Sequence, residues 1–515
     1  MNGLKYTTSS PEIIVSVNFS LPQDHIARVI HDFVESLNIP ETSGFGRPIE
    51  YDAKSLLKLL LFSYSRGITT SRQIECFAVE NLPARWLTGN ACPSYRTICR
   101  FRISDQLKEI LTESFDVFRA FLKDHDLIDE ALFIDGTKLL ADANKYTFVW
   151  KKNTLRFEKM NHDAMIEILN HLRQLDGKIL LDPETHLTVE ELEEMLLQID
   201  IQLETLNEKI EAEPRRSPNP NKQKRRHLKS QRRKLAERTQ KVHQYNTQKE
   251  ILGDRSSYSK TDHDATFMRM KEDPMRNGQL KPGYNLQVAT CNQFFLAYDL
   301  FPNPTDTRTL IPFIQTHSQL IQDSTFVVAD AGYGSESNYR FLEDECPHLT
   351  SLIPYNTYLK EQSRAWKSDE RKVMNWDYFE ADDYYIDPKG VRFNFNAYRT
   401  RTDKYGLTRD FKEYVAETVD VNQQPVPDAL TKKGYKRRIQ VNPSYEYFKA
   451  QQREQLSDPE CAKVYARRKI DVEPAFGFLK ACLGFTQFHV RGIDKVKQEI
   501  GLALLAANLR KLALC

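Results

Sequence analysis

The sequence predicts an α/β protein in which one sheet-containing core is preceded by helices and interrupted by two insertions. Three observations lead there. The apolar β-run Phe326-Val327-Val328-Ala329 delivers Asp330 to the glycine-rich turn Ala331-Gly332-Tyr333-Gly334. A second run, Ala131-Leu132-Phe133-Ile134, ends at Asp135 before Gly136-Thr137. Far downstream, Arg467-Arg468-Lys469-Ile470-Asp471-Val472-Glu473 sets a carboxylate among cations on a helical stretch that continues to Lys480.

At 515 residues the chain exceeds a single hydrophobic core, so several domains are expected. Its apolar fraction of 40% supports globular folding. The net charge of +2 hides a local segregation: nine acids lie between Glu190 and Glu213, and twelve Lys/Arg with one acid between Arg215 and Lys241. The eight cysteines form no C-x-x-C pair, which argues against structural zinc and fits a reducing compartment. No apolar signal core opens the chain, and the apolar stretches at 56–62 and 502–514 are too short or too interrupted to span a bilayer. A cytoplasmic protein without a membrane partner is expected.

Residues 20–130 read as helical. Ile26, Val29, Ile30, Phe33, Val34 and Leu37 keep helical spacing, and the leucines from Leu56 to Leu61 mark a more deeply buried helix. In Pro93–Arg102, Ile98 and Phe101 are expected to face inward while Arg96, Arg100 and Arg102 point out. Helix-turn-helix-like DNA contact and an ordinary solvated face are both open for these arginines. From about 155 to 250 a helical hairpin is expected. Thr188 and Glu191 form a capping box, and Leu192, Leu196, Ile199, Leu203, Leu206 and Ile210 make a coiled-coil seam. Leu228, Leu235 and Val242 answer it from a basic arm beyond a tip at Pro214–Pro220. The cations there either neutralise the acidic arm or contact DNA.

The core resumes with a hairpin, Tyr284–Thr290 and Phe294–Tyr298, then a helix at Leu310–Ile321, the strand ending at Asp330, a helix at Glu336–Leu342 and a strand at Leu349–Ile353. Residues 354–460 read as an antiparallel β-insertion, with a turn at Asp387-Pro388-Lys389-Gly390 and a third strand pattern at Phe411–Val421. It holds Trp366 and Trp376, which serve either as its own small core or as stacking surfaces for a flipped base. Helices at Ala462–Leu479 and Glu499–Leu514 close the chain.

With both insertions removed, the element order is that of an RNase H-like fold, whose first and fourth strands are neighbours. Asp135 and Asp330 then share one sheet end, and Glu473 reaches them from the packed helix. Three such carboxylates repel one another unless cations share them. Two Mg²⁺ (or Mn²⁺) ions per site relieve that repulsion and support phosphoryl transfer. Asp142, Asp262 and Asp264 follow no clean strand and read as caps or loop anchors. The expected divisions are 1–130 (helical, DNA-binding), 131–155 with 251–353 and 461–515 (core), 156–250 (helical hairpin) and 354–460 (β-insertion).

These same segments carry a resemblance. Asp135-Gly136-Thr137-Lys138, Asp264–Met268, Gly283–Gln287 and Ala329–Gly334 resemble blocks of bacterial insertion-sequence transposases of the DDE class, over nearly the whole chain. The C-terminal helix is similar to that family's Y-x2-R-x3-E-x6-K signature through Tyr465, Arg468, Glu473 and Lys480. One extra residue precedes Glu473, so either Arg468 or Lys469 takes the arginine role. The resemblance implies a metal-dependent enzyme that cuts at terminal inverted repeats and joins 3′-hydroxyls to target DNA, as a homodimer or higher multimer associated with the nucleoid. Tyr465, Arg467, Arg468, Lys469 and Lys480 are the expected DNA contacts beside the glutamate. A plain nuclease of the same fold, or a non-catalytic DNA-binding descendant, are the alternatives.

Overall fold

The computed structural model describes residues 20–40, 51–175, 180–182, 184–213, 218–270, 278–419 and 424–514. Among the described residues six helices come first: α1 (Ile26–Ser36), α2 (Ala53–Ser65), α3 (Ser71–Glu80), α4 (Leu82–Leu87), α5 (Tyr95–Arg102) and α6 (Asp105–Asp124). Side-chain caps start several of them. Asp52 accepts from Ser55 N–H at 3.1 Å, and Ser104 accepts from Leu107 N–H at 3.2 Å. Helix α2 is buried from Leu56 to Ser65 because it lies against α17 (Ile493–Leu512), itself buried almost throughout. Helix α17 also packs on α6 and on the sheet. The N-terminal helices therefore share one continuous apolar cluster with the core instead of forming a separate one.

The central sheet contains β1 (Ala131–Leu140), β4 (Thr266–Arg269), β5 (Leu280–Cys291), β6 (Phe294–Phe301), β7 (Phe326–Ala329) and β8 (Thr350–Leu352). Its order is β4-β5-β1-β7-β8, with β6 also on β5. A separate short ladder joins β2 (Phe148–Trp150) to β3 (Ser257–Ser259). Strands β1 and β7 run parallel, with Ile134 opposite Ala329. Strand β1 does not end at Asp135 as expected. Gly136 and the residues after it stay paired with β5 to Leu140, because the glycine opposite Gln287 lets the ladder continue. Beyond the hairpin lie α10 (Leu310–Thr316) and α11 (Ser318–Gln322), where one helix was expected, and then α12 (Glu336–Glu345).

Among the described residues of the first insertion there are three helices, not two: α7 (Lys151–Leu175), α8 (Val189–Ala212) and α9 (Pro220–Leu252). Helix α9 packs against both others. Thr188 and Glu191 make the reciprocal capping box at 3.2 and 2.7 Å. Met165 and Leu169 of α7 join Leu192, Ile199, Leu206, Leu228 and Leu235 in one apolar cluster, with Leu203 and Val242 at its margin. Ile210 falls outside it among the described residues. The expected tip includes residues 214–217, which lie outside the described residues.

After α13 (Tyr358–Glu361) and α14 (Arg364–Lys367) comes an antiparallel sheet in the order β13-β12-β11-β10-β9. Its strands are β9 (Asp377–Phe379), β10 (Tyr384–Ile386), β11 (Arg392–Thr402), β12 (Thr408–Ala416) and β13 (Arg438–Val441). The β10–β11 turn is fixed by Asp387, which accepts from Lys389 and Val391 N–H at 3.0 and 2.9 Å, and by Gly390 at φ 81°. Trp376 is buried with Val391, Phe393 and Tyr414 in this sheet's core. The lysine of Lys372 lies 4.0 Å from the ring of Trp366. Both rings are thus engaged in the subdomain itself. Helix α15 (Pro443–Ser457), expected inside the insertion, packs on α12 and β8 of the core as well as on β12. Its Gln452 accepts from Ile353 N–H at 2.9 Å, and Phe448 packs on Tyr339. Helix α16 (Pro459–Gly477) follows and widens into a π-helical turn over Phe478–Cys482.

Candidate active site at the ends of β1 and β7

Asp135 and Asp330 each come one residue after a facing pair, Ile134 and Ala329, on adjacent parallel strands. Strand spacing sets their backbones roughly 5 Å apart. Phe133 and Val328, two residues earlier, pack against Val472 of α16, so strand alternation turns both aspartates toward that helix. Each carboxylate is held by a nearby amide: Asp135 Oδ1 accepts from Gly136 N–H at 2.7 Å, and Asp330 Oδ1 from Gly332 N–H at 2.7 Å. The opposite oxygen of Asp135 accepts from Arg468 Nη1 at 3.4 Å, with both side chains largely buried.

Helix α16 brings the rest of the expected set, though not all to one place. Tyr465 is half-buried. Burial raises its phenol above the usual range, opposed by Arg468 and helped by Asp330. Lys480 donates to the Lys138 carbonyl at 3.3 Å. Glu473 does not join the aspartates. It lies five residues after Arg468, about 140° around the helix, and its side chain is exposed. Among the described residues no three His, Cys, Asp or Glu groups have the geometry to hold a metal ion. Arg467 points elsewhere and pairs with Asp129 at 2.6 Å and Asn292 at 3.2 Å. Burial pushes the Asp129 carboxyl up, but the Ala131 amide and Arg467 bring it below its ordinary value. Lys469 is exposed. On the other flank, Asp471 is buried and accepts from the Thr290 hydroxyl at 2.6 Å. Burial raises its carboxyl pKa above the ordinary value despite that bond.

Behind the aspartates lies a polar network that sequence reasoning missed. Asp306, on a 3-10 turn over Asp306–Arg308, accepts from Asn285 Nδ2 at 2.8 Å and Gln287 Nε2 at 3.0 Å. The Gln287 carbonyl accepts from the buried Tyr333 hydroxyl. Burial raises that phenol well above its usual range, and Asp306, Asp135 and Asp330 each add to the shift. Gly136 leaves the room: a Cβ there would sit 2.2 Å from Gln287 Nε2 and 2.7 Å from Asp306 Oδ1. The available signal was Asn285 and Gln287 at two-residue spacing in an otherwise apolar strand.

The N-terminal arginines divide. Arg96 and Arg100 are exposed on α5. Arg102, expected to point outward, is buried: it pairs with Glu499 at 3.3 Å and donates to the Thr69 carbonyl. The competing acids act as loop anchors. Asp262 accepts from the Tyr284 hydroxyl at 2.8 Å, Asp264 accepts from Ile493 N–H at 2.9 Å at the start of α17, and Asp142 pairs with Arg491 at 2.9 Å. No described helix is long and apolar enough to cross a membrane.

Residues 255–509 match the family model described as a transposase DDE domain, a span that includes Asp330 and Glu473 and begins after Asp135. Residues 15–104 match a second model, described as a transposase domain (DUF772), which covers α1 to α5. No curated protein sequence matches the chain. Asp330 and the helix of Arg468 and Glu473 lie in the first matched span and the exposed arginines of α5 in the second, and the chain belongs to the transposases of the DDE class.

Proposed function

We propose that this transposase cuts DNA at the terminal inverted repeats of an insertion sequence and transfers the freed 3′-hydroxyls to target DNA, using an RNase H-like core. One observation carries the reading: Asp135 and Asp330 stand side by side at one end of two parallel strands, under a helix that supplies Arg468 to the first of them. Neighbouring carboxylates repel and hold their charge only with a cation between or beside them. In the chain itself Arg468 provides a positive charge at that place.

The donor set fits a hard divalent ion. Asp135 and Asp330 offer carboxylate oxygens on rigid strand ends, and these two would hold Mg²⁺ or Mn²⁺, with Glu473 outside the pair on the exposed side of α16. When bound, a pair of such ions activates the attacking water or 3′-hydroxyl and stabilises the leaving oxygen. The chain's part is placement. Gly136 and Gly332 N–H fix one oxygen of each aspartate, and the Asp306–Gln287–Tyr333 network supports the strand beneath them. Exposed Lys469, with Arg468, Tyr465 and Lys480 on the same helical segment, receives the phosphate backbone. Arg96 and Arg100 of α5 contact the transposon ends.

The test supplies labelled DNA ends, taken from the sequence flanking the gene, with a supercoiled target and Mg²⁺. Joined product supports the proposal. Cut ends without joining support a nuclease, and a mobility shift without chemistry supports a binding protein.

A further inference from the structure

We infer that the outward face of α9 is a second DNA-binding surface, one that grips the phosphate backbone of duplex DNA without reading its sequence. The inference rests on the transposase reading above, which supplies DNA as the partner. Leu228, Leu235 and Thr239 face into the helical insertion. On the other side of the same helix Lys222, Arg226, Lys229 and Arg233 follow one another at spacings of four, three and four residues, all exposed. They form one stripe along three turns.

The simplest alternative is that these cations neutralise the acidic helix α8. The contacts say otherwise. Arg232 pairs with Asp200 at 2.8 Å and His243 with Glu193 at 3.3 Å, while Lys249 pairs with Glu158 of α7. Those groups lie along the sides of α9 that meet its partner helices. Of the outward four, only Arg233 meets an acid, Glu237 of its own helix at 3.9 Å. Lys222, Arg226 and Lys229 make no ion pair among the described residues.

Like charges at four- and three-residue spacing repel along a helix, so this stripe works against the helix that carries it. The apolar seam tolerates the cost, and folding has no use for it. A polyanion does. From Lys222 to Arg233 the helix rises about 16 Å. Duplex DNA carries one phosphate per roughly 3.4 Å of axis on each strand, so the stripe matches about five phosphates. A row of lysine and arginine along one straight helix face lays charge against the phosphate backbone, the class of contact that positions DNA and carries no sequence information.

The experiment uses the full chain and two duplexes, one of unrelated sequence and one from the flank of the gene, with binding followed by fluorescence anisotropy between about 50 and 200 mM salt. The variant is K222Q/R226Q/K229Q/R233Q, since glutamine keeps helix propensity near that of lysine and arginine. Four lost phosphate contacts make the slope of log affinity against log salt shallower by about 3–4 on both duplexes. Affinity at the low-salt end falls by more than tenfold on both, so their ratio holds. The charge-keeping variant K222R/R226K/K229R/R233K retains the wild-type slope. An unchanged slope in the neutral variant overturns the inference, as does a loss confined to the flanking duplex. Should the quadruple variant lose helix content by circular dichroism, R226E alone serves, with a slope at least one unit shallower expected and an unchanged slope again overturning it. Wild-type protein that binds neither duplex would sink the transposase reading itself, a result distinct from wild type and variant binding alike.

Discussion

Arg102 and Glu499 meet at 3.3 Å with side chains only 3% and 0% exposed, and they tie α5 to α17. Glu499 also accepts from His489 N–H at 2.8 Å and from the Tyr64 hydroxyl at 3.4 Å, so the glutamate is a hub for three segments. Removing one partner strands a buried charge. Arg102→Met is expected to cost about 3–5 kcal/mol in chemical denaturation, and adding Glu499→Leu to recover much of that loss. A loss below about 1 kcal/mol for the single variant would mean that water already reaches the pair.

Asp135→Asn and Asp330→Asn should each lower strand joining by at least ~100-fold, since each removes a charge from the centre of the chemistry. Binding to DNA should change little, because phosphate contacts elsewhere supply most of the affinity. Joining assays paired with mobility shifts separate the two effects. Retained joining in either variant would remove that aspartate from the active site.

Asp306 and Gly136 test the network under the aspartates. Asp306→Leu removes one of two acceptors from each of the Asn285 and Gln287 amides, which keep Asn303 O and Asn285 Oδ1, at about 1–3 kcal/mol for each N–H left unpaired. Asp306→Asn keeps an acceptor and should fold normally. Gly136→Ala forces a methyl into space held by Gln287 and Asp306 and should cost ~1–3 kcal/mol with a fall in joining. A fully active Gly136→Ala enzyme would show that the strand shifts freely there.

Asp471 predicts a pH dependence. Burial raises its pKa in the folded chain, so the folded state favours the protonated acid. Its contribution is fully present below the unfolded value, near 4, and is lost as pH rises through the raised folded value, by about 1.4 kcal/mol for each unit of the shift. Thermal melts of Asp471→Asn and wild type from about pH 4 to 7 should therefore diverge in the variant's favour as pH rises. Parallel curves would mean that Asp471 stays ionised at no cost.

How legible each residue was depended on how local its reason is. Asp135 and Asp330 each close an apolar run, and their register follows from strand order, so both could be placed from the sequence. Glu473 could be assigned to a helix but not to a side of it, because the rotation is set by Val472 and Ala475 packing on distant strands. Asp306 gave no periodic signal, since its turn has three residues and its partners lie on β5. Arg102 read as a surface residue among arginines; its charge partner Glu499 is 397 positions away, and the Thr69 carbonyl and Ser71 hydroxyl also hold it inside. Strands β9 and β13 were too short for alternation to register. Helix α7 precedes both oppositely charged arms, so neither their charge segregation nor their heptad seam marks it.

The burial of α2 against α17 has a consequence for how the protein is made. Tyr64 and Glu499 are 435 residues apart, and translation proceeds at roughly 5–20 residues per second. On the ribosome, the leucine-rich helix α2 therefore emerges some 20–90 s before the helix that covers it. Throughout that interval the face of α2 that meets α17 is open to other nascent chains, while its remaining sides pack on α1, α3, α4 and α5. Recovery of soluble protein should depend on temperature and chaperone supply during synthesis far more than the stability of the finished molecule would indicate.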